Sequence, residues 1–259
     1  MSSPAPTPPS TPHVTLLDFT TTPLSKHYGH PNHYALIIDD LLTPTECAAL
    51  TALAESHSDA WQPAAIKKGA TRHEVETDVR DCSRILLDDA PTAEMLYQRI
   101  HPFLALMWEI GGTPETGVVA GTWRRGRRWR MTGVNERLRF LRYGQGQFFQ
   151  AHCDAAYVRA GGRERSFLTV HVYLNSEGEG EEGECRGGAT RFWGMNMKEF
   201  VDVEARVGRV LVFQQRGLLH SGEVVEGGVK RTLRSDVMYE AVDVEEGSGE
   251  VVKLKEESK

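Results

Sequence analysis

From about residue 138 the chain breaks into short β-rich runs, 137–143, 166–174, 189–193, 208–214, 218–225 and 230–240, set apart by glycines and charged turns. Runs of that length and spacing pair with their neighbours as an antiparallel barrel or sandwich. The first part of the chain reads differently. Tyr34-Ala-Leu-Ile-Ile38 is a strand, and Thr43-Pro44-Thr45-Glu46 combines a capping Thr, Pro in the first turn and Glu three residues after the cap. Cys47, Leu50, Leu53 and Ala54 follow at helical spacing and predict a helix over 44–57. A second helix opens at Pro91 behind Asp89 and carries Leu96, Ile100, Leu104 and Trp108, with Pro102 expected to kink or split it. Helices first and strands later predict an α+β fold, with helices packed on a β core.

A chain of 259 residues can bury one full core. The first twelve residues hold five prolines and predict a disordered tail, 1–12, ahead of a single domain over 13–240. Residues 241–259 are Glu/Lys/Gly-rich and predict a flexible charged end. The net charge of −6 argues against nucleic acid as a bulk electrostatic partner, although arginines crowd 124–142 and glutamates crowd 177–184. Four cysteines without regular spacing read as reduced, scattered thiols. No segment has the apolar length of a membrane span, and the first residues lack the charged start and apolar core of a secretory signal. These features predict a soluble intracellular protein, cytoplasmic or nuclear.

His152-Cys153-Asp154 and the distant His220 are the residues that point to chemistry. Residues two apart on a strand project to one face, so His152 and Asp154 can reach one ion while Cys153 points away. A lone His is usually a hydrogen-bonded structural residue. Two imidazoles and a carboxylate, however, can cap one face of an octahedral metal and leave positions open, as in non-heme Fe(II) oxygenases.

The surrounding motifs extend this reading. Tyr143-Gly-Gln-Gly-Gln-Phe-Phe-Gln-Ala-His152-Cys-Asp154, then Gly187-Gly188-Ala189-Thr190, then His220-Ser-Gly with Lys230 ten residues on, resemble the prolyl 4-hydroxylase-like family of Fe(II)/2-oxoglutarate dioxygenases. The resemblance covers about 135–240, and the N-terminal helices fit it more loosely. It implies a double-stranded β-helix, or jelly roll, buttressed by helices. It also implies Fe(II) on His152, Asp154 and His220, with 2-oxoglutarate and O2 as co-substrates and ascorbate as a possible reductant. Lys230 matches the cation that holds the far carboxylate of 2-oxoglutarate, with Thr232 as a hydroxyl partner. Arg234, on the same strand face, is the alternative, since a guanidinium fork suits a carboxylate well.

Tyr143 matches a tyrosine that reaches the co-substrate, the other reading being a core aromatic. Alternation puts Thr169, His171 and Tyr173 on one face. If Tyr173 faces inward as its family match does, Thr169 joins it near 2-oxoglutarate. His171 then lines the substrate or co-substrate pocket or is a satisfied interior histidine. Thr190 is a further pocket residue. The same alternation aligns Arg139 with Tyr143, as an inward anion contact or a solvated arginine. Related halogenases replace the iron carboxylate with a small residue, so Asp154 implies hydroxylation. Segment 108–135 reads as a lid or substrate loop, and 176–187 as a solvated turn.

The implied reaction hydroxylates an aliphatic C–H bond with release of succinate and CO2. A prolyl residue in a peptide, a free amino acid and a secondary metabolite all fit as substrate. Nucleic-acid demethylation, with Arg124–Arg130 on phosphates, is a further alternative that the acidity of the chain disfavours. From another class, a non-catalytic binding module would keep the fold, but the intact triad argues against it. Oligomeric state stays open.

Overall fold

A computed structural model describes residues 11–57, 60–68, 72–121, 127–176 and 185–242. The 1–12 tail (through residue 10), the 241–259 end (from residue 243), residues 177–184 and Arg124 and Arg125 lie outside them. Two large sheets, a two-stranded ribbon of Ile66–Lys68 with Arg72–Glu74, and a layer of helices make up the described architecture. The larger, 11-stranded sheet has at its centre, in order, Ala35–Asp39, Val210–Gln214, Glu164–Tyr173, Val225–Val242, Arg137–Gly144 and Ser83–Asp88. A five-stranded sheet faces it, in the order Phe200–Val203, Thr190–Trp193, His220–Gly222, Phe148–His152 and Arg80–Asp81. Every named pairing is antiparallel, and neither sheet closes on itself. This is a jelly-roll core with helices on one side.

Strand alternation builds the two cores. Leu138, Phe140, Val170, Val172 and Leu233 point to the helices, where they meet Leu50, Leu96 and Ile100. Their sequence neighbours Leu141, Tyr143, Tyr173 and Leu211 point the other way, toward Phe192 of the smaller sheet. Each such fully buried aliphatic or aromatic side chain stabilises the fold by roughly 1.5–3 kcal/mol.

Both anticipated helices form, over Pro44–His57 and Ala90–Ile100. At the first, Glu46 N donates to Thr43 Oγ1 at 3.0 Å and Thr43 N donates to Glu46 Oε2 at 2.8 Å, a closed capping box. At the second, Asp89 accepts from Thr92 N at 2.8 Å. Pro102 cannot continue the ladder, and the chain passes into 3-10 turns at His101–Phe103 and Ala105–Met107. Trp108 leaves the core face and stacks on His101, ring centroids 4.8 Å apart.

The described parts of segment 108–135 are largely regular structure. They form the helix Pro114–Ala120 and the strands Glu109–Ile110 and Arg128–Val134, the last paired with the distal half of Val225–Val242. The arginines of that strand hid a period of two: Trp129 and Met131 are buried between exposed Arg128, Arg130 and Thr132. The runs expected at 218–225 and 230–240 are divided differently. His220–Gly222 is a short separate strand, and Val225–Val242 is one strand of 18 residues that spans the core. No helix of the described residues is long and apolar enough to cross a membrane. None of the four cysteines forms a disulfide, and Cys153 is the exposed one.

Candidate active site

His152 ends the strand Phe148–His152, and its Cα partner across the smaller sheet is His220 itself. Asp154 follows directly, so one strand pair delivers all three side chains. Their ligand atoms lie within 4.8 Å of one another, a group able to hold a metal ion. Asp154 Oδ1 is 3.6 Å from His152 Nε2, and Oδ2 is 3.6 Å from His220 Nε2. The outer nitrogens are tied back to carbonyls: His152 Nδ1 lies 2.8 Å from Gln150 O, and His220 Nδ1 lies 3.0 Å from Leu218 O. With Nδ1–H donating, each Nε2 lone pair faces the centre.

Protonation favours ligation too. Burial pushes the His220 pKa down to about 4, so the imidazole is neutral near pH 7. Burial pushes the Asp154 carboxyl upward, but Arg234, His220 and His152 beside it outweigh that and hold it well below the usual range. Arg234 donates to Asp154 Oδ1 at 2.9 Å, and Thr169 Oγ1 donates to Oδ2 at 2.6 Å.

The cavity at this triad is lined by Tyr143, His171, Thr190, Lys230 and Arg234. Lys230 is 2% exposed, and its ammonium donates to Gly188 O at 2.5 Å. It sits 5.6 Å from the Tyr143 ring centroid and 5.7 Å from that of Tyr173. None of the described carboxylates pairs with it, and burial pushes its pKa down to about 8. The Gly187-Gly188 pair makes this approach possible. Both have positive φ, a Cβ on Gly187 would lie 2.7 Å from Val224 O, and one on Gly188 would lie 3.2 Å from Lys230 Cδ.

Three buried polar atoms of this region have no hydrogen-bond partner among the described residues: Thr232 Oγ1, His171 Nε2 and Arg234 Nε. A buried ammonium without a counter-anion and unsatisfied donors beside it are costly unless an anion completes them. The donor set therefore fits a metal ion at the triad and a carboxylate-bearing ligand beside it.

The expected residues fall into three groups. His152, Asp154 and His220 form the cluster, and Tyr143, His171, Thr190, Lys230 and Arg234 line its cavity. Thr169, Tyr173 and Thr232 lie behind that wall. Thr169 serves Asp154, and Tyr173 OH donates to Thr190 Oγ1 at 2.7 Å. Arg139 does not join them. It does not line the cavity, and its partly exposed guanidinium donates to buried Asp236 at 3.0 Å. The two clamp candidates also separate, since Arg234 is paired with Asp154 while Lys230 is paired with none of the described carboxylates.

Arg80 was missed. It enters the cavity from the short strand Arg80–Asp81, over the Phe149 ring at 4.5 Å, with Nε toward Cys82 Sγ at 3.3 Å. Phe149 in turn stacks on His152 at 3.7 Å. A two-residue strand carries no readable period, so no local signal marks Arg80.

Residues 138–235 match the family model of the 2OG-Fe(II) oxygenase superfamily. This stretch is a 2OG-Fe(II) oxygenase domain, and the enzyme is an oxidoreductase of the class that uses Fe(II), 2-oxoglutarate and O2. In fold it is prolyl 4-hydroxylase-like. A Trichoplax adhaerens prolyl hydroxylase, solved with a hypoxia inducible factor peptide fragment, is 14% identical with TM-score 0.52, over 78% of this chain and 82% of that one. The viral collagen prolyl hydroxylase of Paramecium Bursaria Chlorella virus-1 is 16% identical with TM-score 0.48, over 80% of this chain and 96% of that one. A Pseudomonas putida prolyl 4-hydroxylase is 18% identical with TM-score 0.48, over 80% and 94%. No curated protein matches the chain.

Proposed function

We propose that this protein hydroxylates an aliphatic C–H bond of a peptidyl substrate, prolyl 4-hydroxylase-like, releasing succinate and CO2. His152, Asp154 and His220 hold Fe(II), and Lys230 holds the far carboxylate of 2-oxoglutarate. The observation that carries this is the buried Lys230 ammonium, unpaired by any described carboxylate and lining the same cavity as the triad. When bound, Fe(II) with 2-oxoglutarate and O2 supplies the oxidant. The chain's own residues bind and orient. Neutral His220 and ionised Asp154 present lone pairs, Lys230 fixes one end of the co-substrate, and Tyr143 and Tyr173 wall off water around the ammonium.

A peptidyl substrate is supported by an open apolar groove lined by Phe148, Trp193, Met197 and Val224, which shares Phe149, Ser221 and Gly222 with the cavity. The Trichoplax adhaerens enzyme, of like fold, was solved with a peptide fragment. The demethylase alternative gains no such support: Arg128 is paired with Glu109 at 3.4 Å, within a strand rather than a phosphate-binding loop.

Anaerobic titration of the purified protein with Fe(II) and 2-oxoglutarate tests the reading. A visible charge-transfer band is expected in the wild type and is expected to vanish in Asp154→Ala and His220→Ala. A wild type with no band, and no succinate in air, would refute it. Proline-containing peptides that do not raise succinate release, alongside a free amino acid that does, would remove the peptidyl substrate.

A further inference from the structure

Asp236 is a 1%-exposed carboxylate that the hydroxylation chemistry does not call for. Its Oδ2 accepts from Arg139 at 3.0 Å, and its Oδ1 accepts from Gln215 Nε2 at 3.0 Å. Arg234 NH2 lies 3.5 Å from that Oδ1, and the same nitrogen donates to Asp154 Oδ1 at 2.9 Å. One guanidinium thus links the metal-binding carboxylate to a second, buried one. Register explains the chain of contacts. Arg234 and Asp236 are two apart on Val225–Val242 and share a face, Arg139 lies directly opposite Arg234, and Thr169 lies directly opposite Asp236.

Arg234 is an awkward neighbour for a metal site. Its charge stabilises the ionised form of Asp154, but it also repels a divalent cation and competes for the same oxygen. A compensating anion within reach would remove both problems, and Asp236 occupies that position. We propose that Asp236, fixed by Arg139 and Gln215, is a positioning residue for the metal centre. It balances and restrains Arg234, so that Asp154 stays aimed at the ion without Arg234 closing over it in the metal's place. This rests on His152, Asp154 and His220 being the metal ligands.

Co(II) binding, followed by its visible d–d absorption, tests the idea in four proteins: wild type, Asp236→Asn, Arg234→Met and the double variant. Asp236→Asn is expected to weaken Co(II) about tenfold, the usual scale for a partner of a ligating side chain. In the Arg234→Met background the same replacement is expected to change affinity less than about twofold, because the link it acts through is gone. Affinity for 2-oxoglutarate in the Co(II)-loaded Asp236→Asn protein should stay within about twofold, since Lys230 is untouched. Equal losses in both backgrounds, or an unchanged Co(II) affinity in Asp236→Asn, would overturn the proposal. So would lost 2-oxoglutarate affinity with Co(II) binding intact, which would assign Arg234 to the co-substrate. If Asp236→Asn does not fold, Arg139→Met frees the carboxylate while keeping its charge, and about a threefold loss is expected. No change there overturns the proposal as well. A wild type that binds no Co(II) fails earlier, at the assignment of the triad.

Discussion

Lys230 brings a charge into a space where only Gly188 O and two aromatic faces receive it. In water its pKa would be 10.5, and burial takes it to about 8. The folded, ligand-free protein therefore binds fewer protons than the unfolded chain between those values, so its stability rises with pH across that window. Co-substrate affinity runs the opposite way. It needs the ammonium, so anaerobic 2-oxoglutarate binding is expected to weaken as pH climbs through about 8, a trend a calorimetric titration series would show. Lys230→Met removes a charged hydrogen-bond partner of roughly 1.5–3 kcal/mol, about 10- to 100-fold in 2-oxoglutarate affinity. Metal affinity and the melting temperature should not fall, because the variant buries no unpaired charge. A melting temperature that drops with co-substrate affinity unchanged would make Lys230 a structural residue instead.

At the level of elements, the helices support the site from behind the larger sheet, and no residue of the described helices lines the cavity. The helix Pro44–His57 buries Cys47, Leu50 and Ala54 against the larger sheet, and its start depends on the reciprocal Thr43–Glu46 bonds. Arg99 of the next helix donates to Glu46 Oε1 at 2.6 Å, which joins the two. Thr43→Ala removes the cap and is expected to cost about 1 kcal/mol of stability in chemical denaturation. The charge-transfer band should keep its position. A shifted band would show that the helix reaches the metal centre through more than packing.

Across the whole molecule, the site lies between two sheets whose strands come from distant parts of the chain. Trp129 shows how the assembly overrides a local impression. It comes from a segment that reads as a lid, yet it is 3% exposed and packs edge-on against Phe167, centroids 5.1 Å apart. Trp129→Ala is expected to cost about 3–5 kcal/mol of unfolding free energy. Its effect on 2-oxoglutarate affinity, measured below the melting transition, should be small. A lid residue would give the reverse: little change in stability and a large change in turnover.

His152 and Asp154 were legible as a pair because their geometry is local, whereas His220, on another strand, was placed by the resemblance of its motif to the family. A period of two puts His152 and Asp154 on one face and Thr169, His171 and Tyr173 on another, whatever the rest of the chain does. The two helices were legible from their caps, an antiparallel barrel or sandwich from six short runs with turn residues between them, and the jelly roll from the family resemblance. Partnership across strands was not legible, because register depends on segments far apart in sequence. Arg139 could be placed on the inward face from its own strand, but that it meets Asp236 depends on how Arg137–Gly144 pairs with Val225–Val242. Arg80, on a strand of two residues, belongs to the site only through its pairing beside Phe149. Sequence alone determined which side chains are able to carry the chemistry and which of them share a strand face, since both follow from side-chain type and backbone period. Tertiary structure alone decided which charges meet: Arg234 with Asp154, Arg139 with Asp236, and Lys230 with no described carboxylate. A buried charge is set by what the folded chain brings within a few ångströms, and no local pattern encodes that distance.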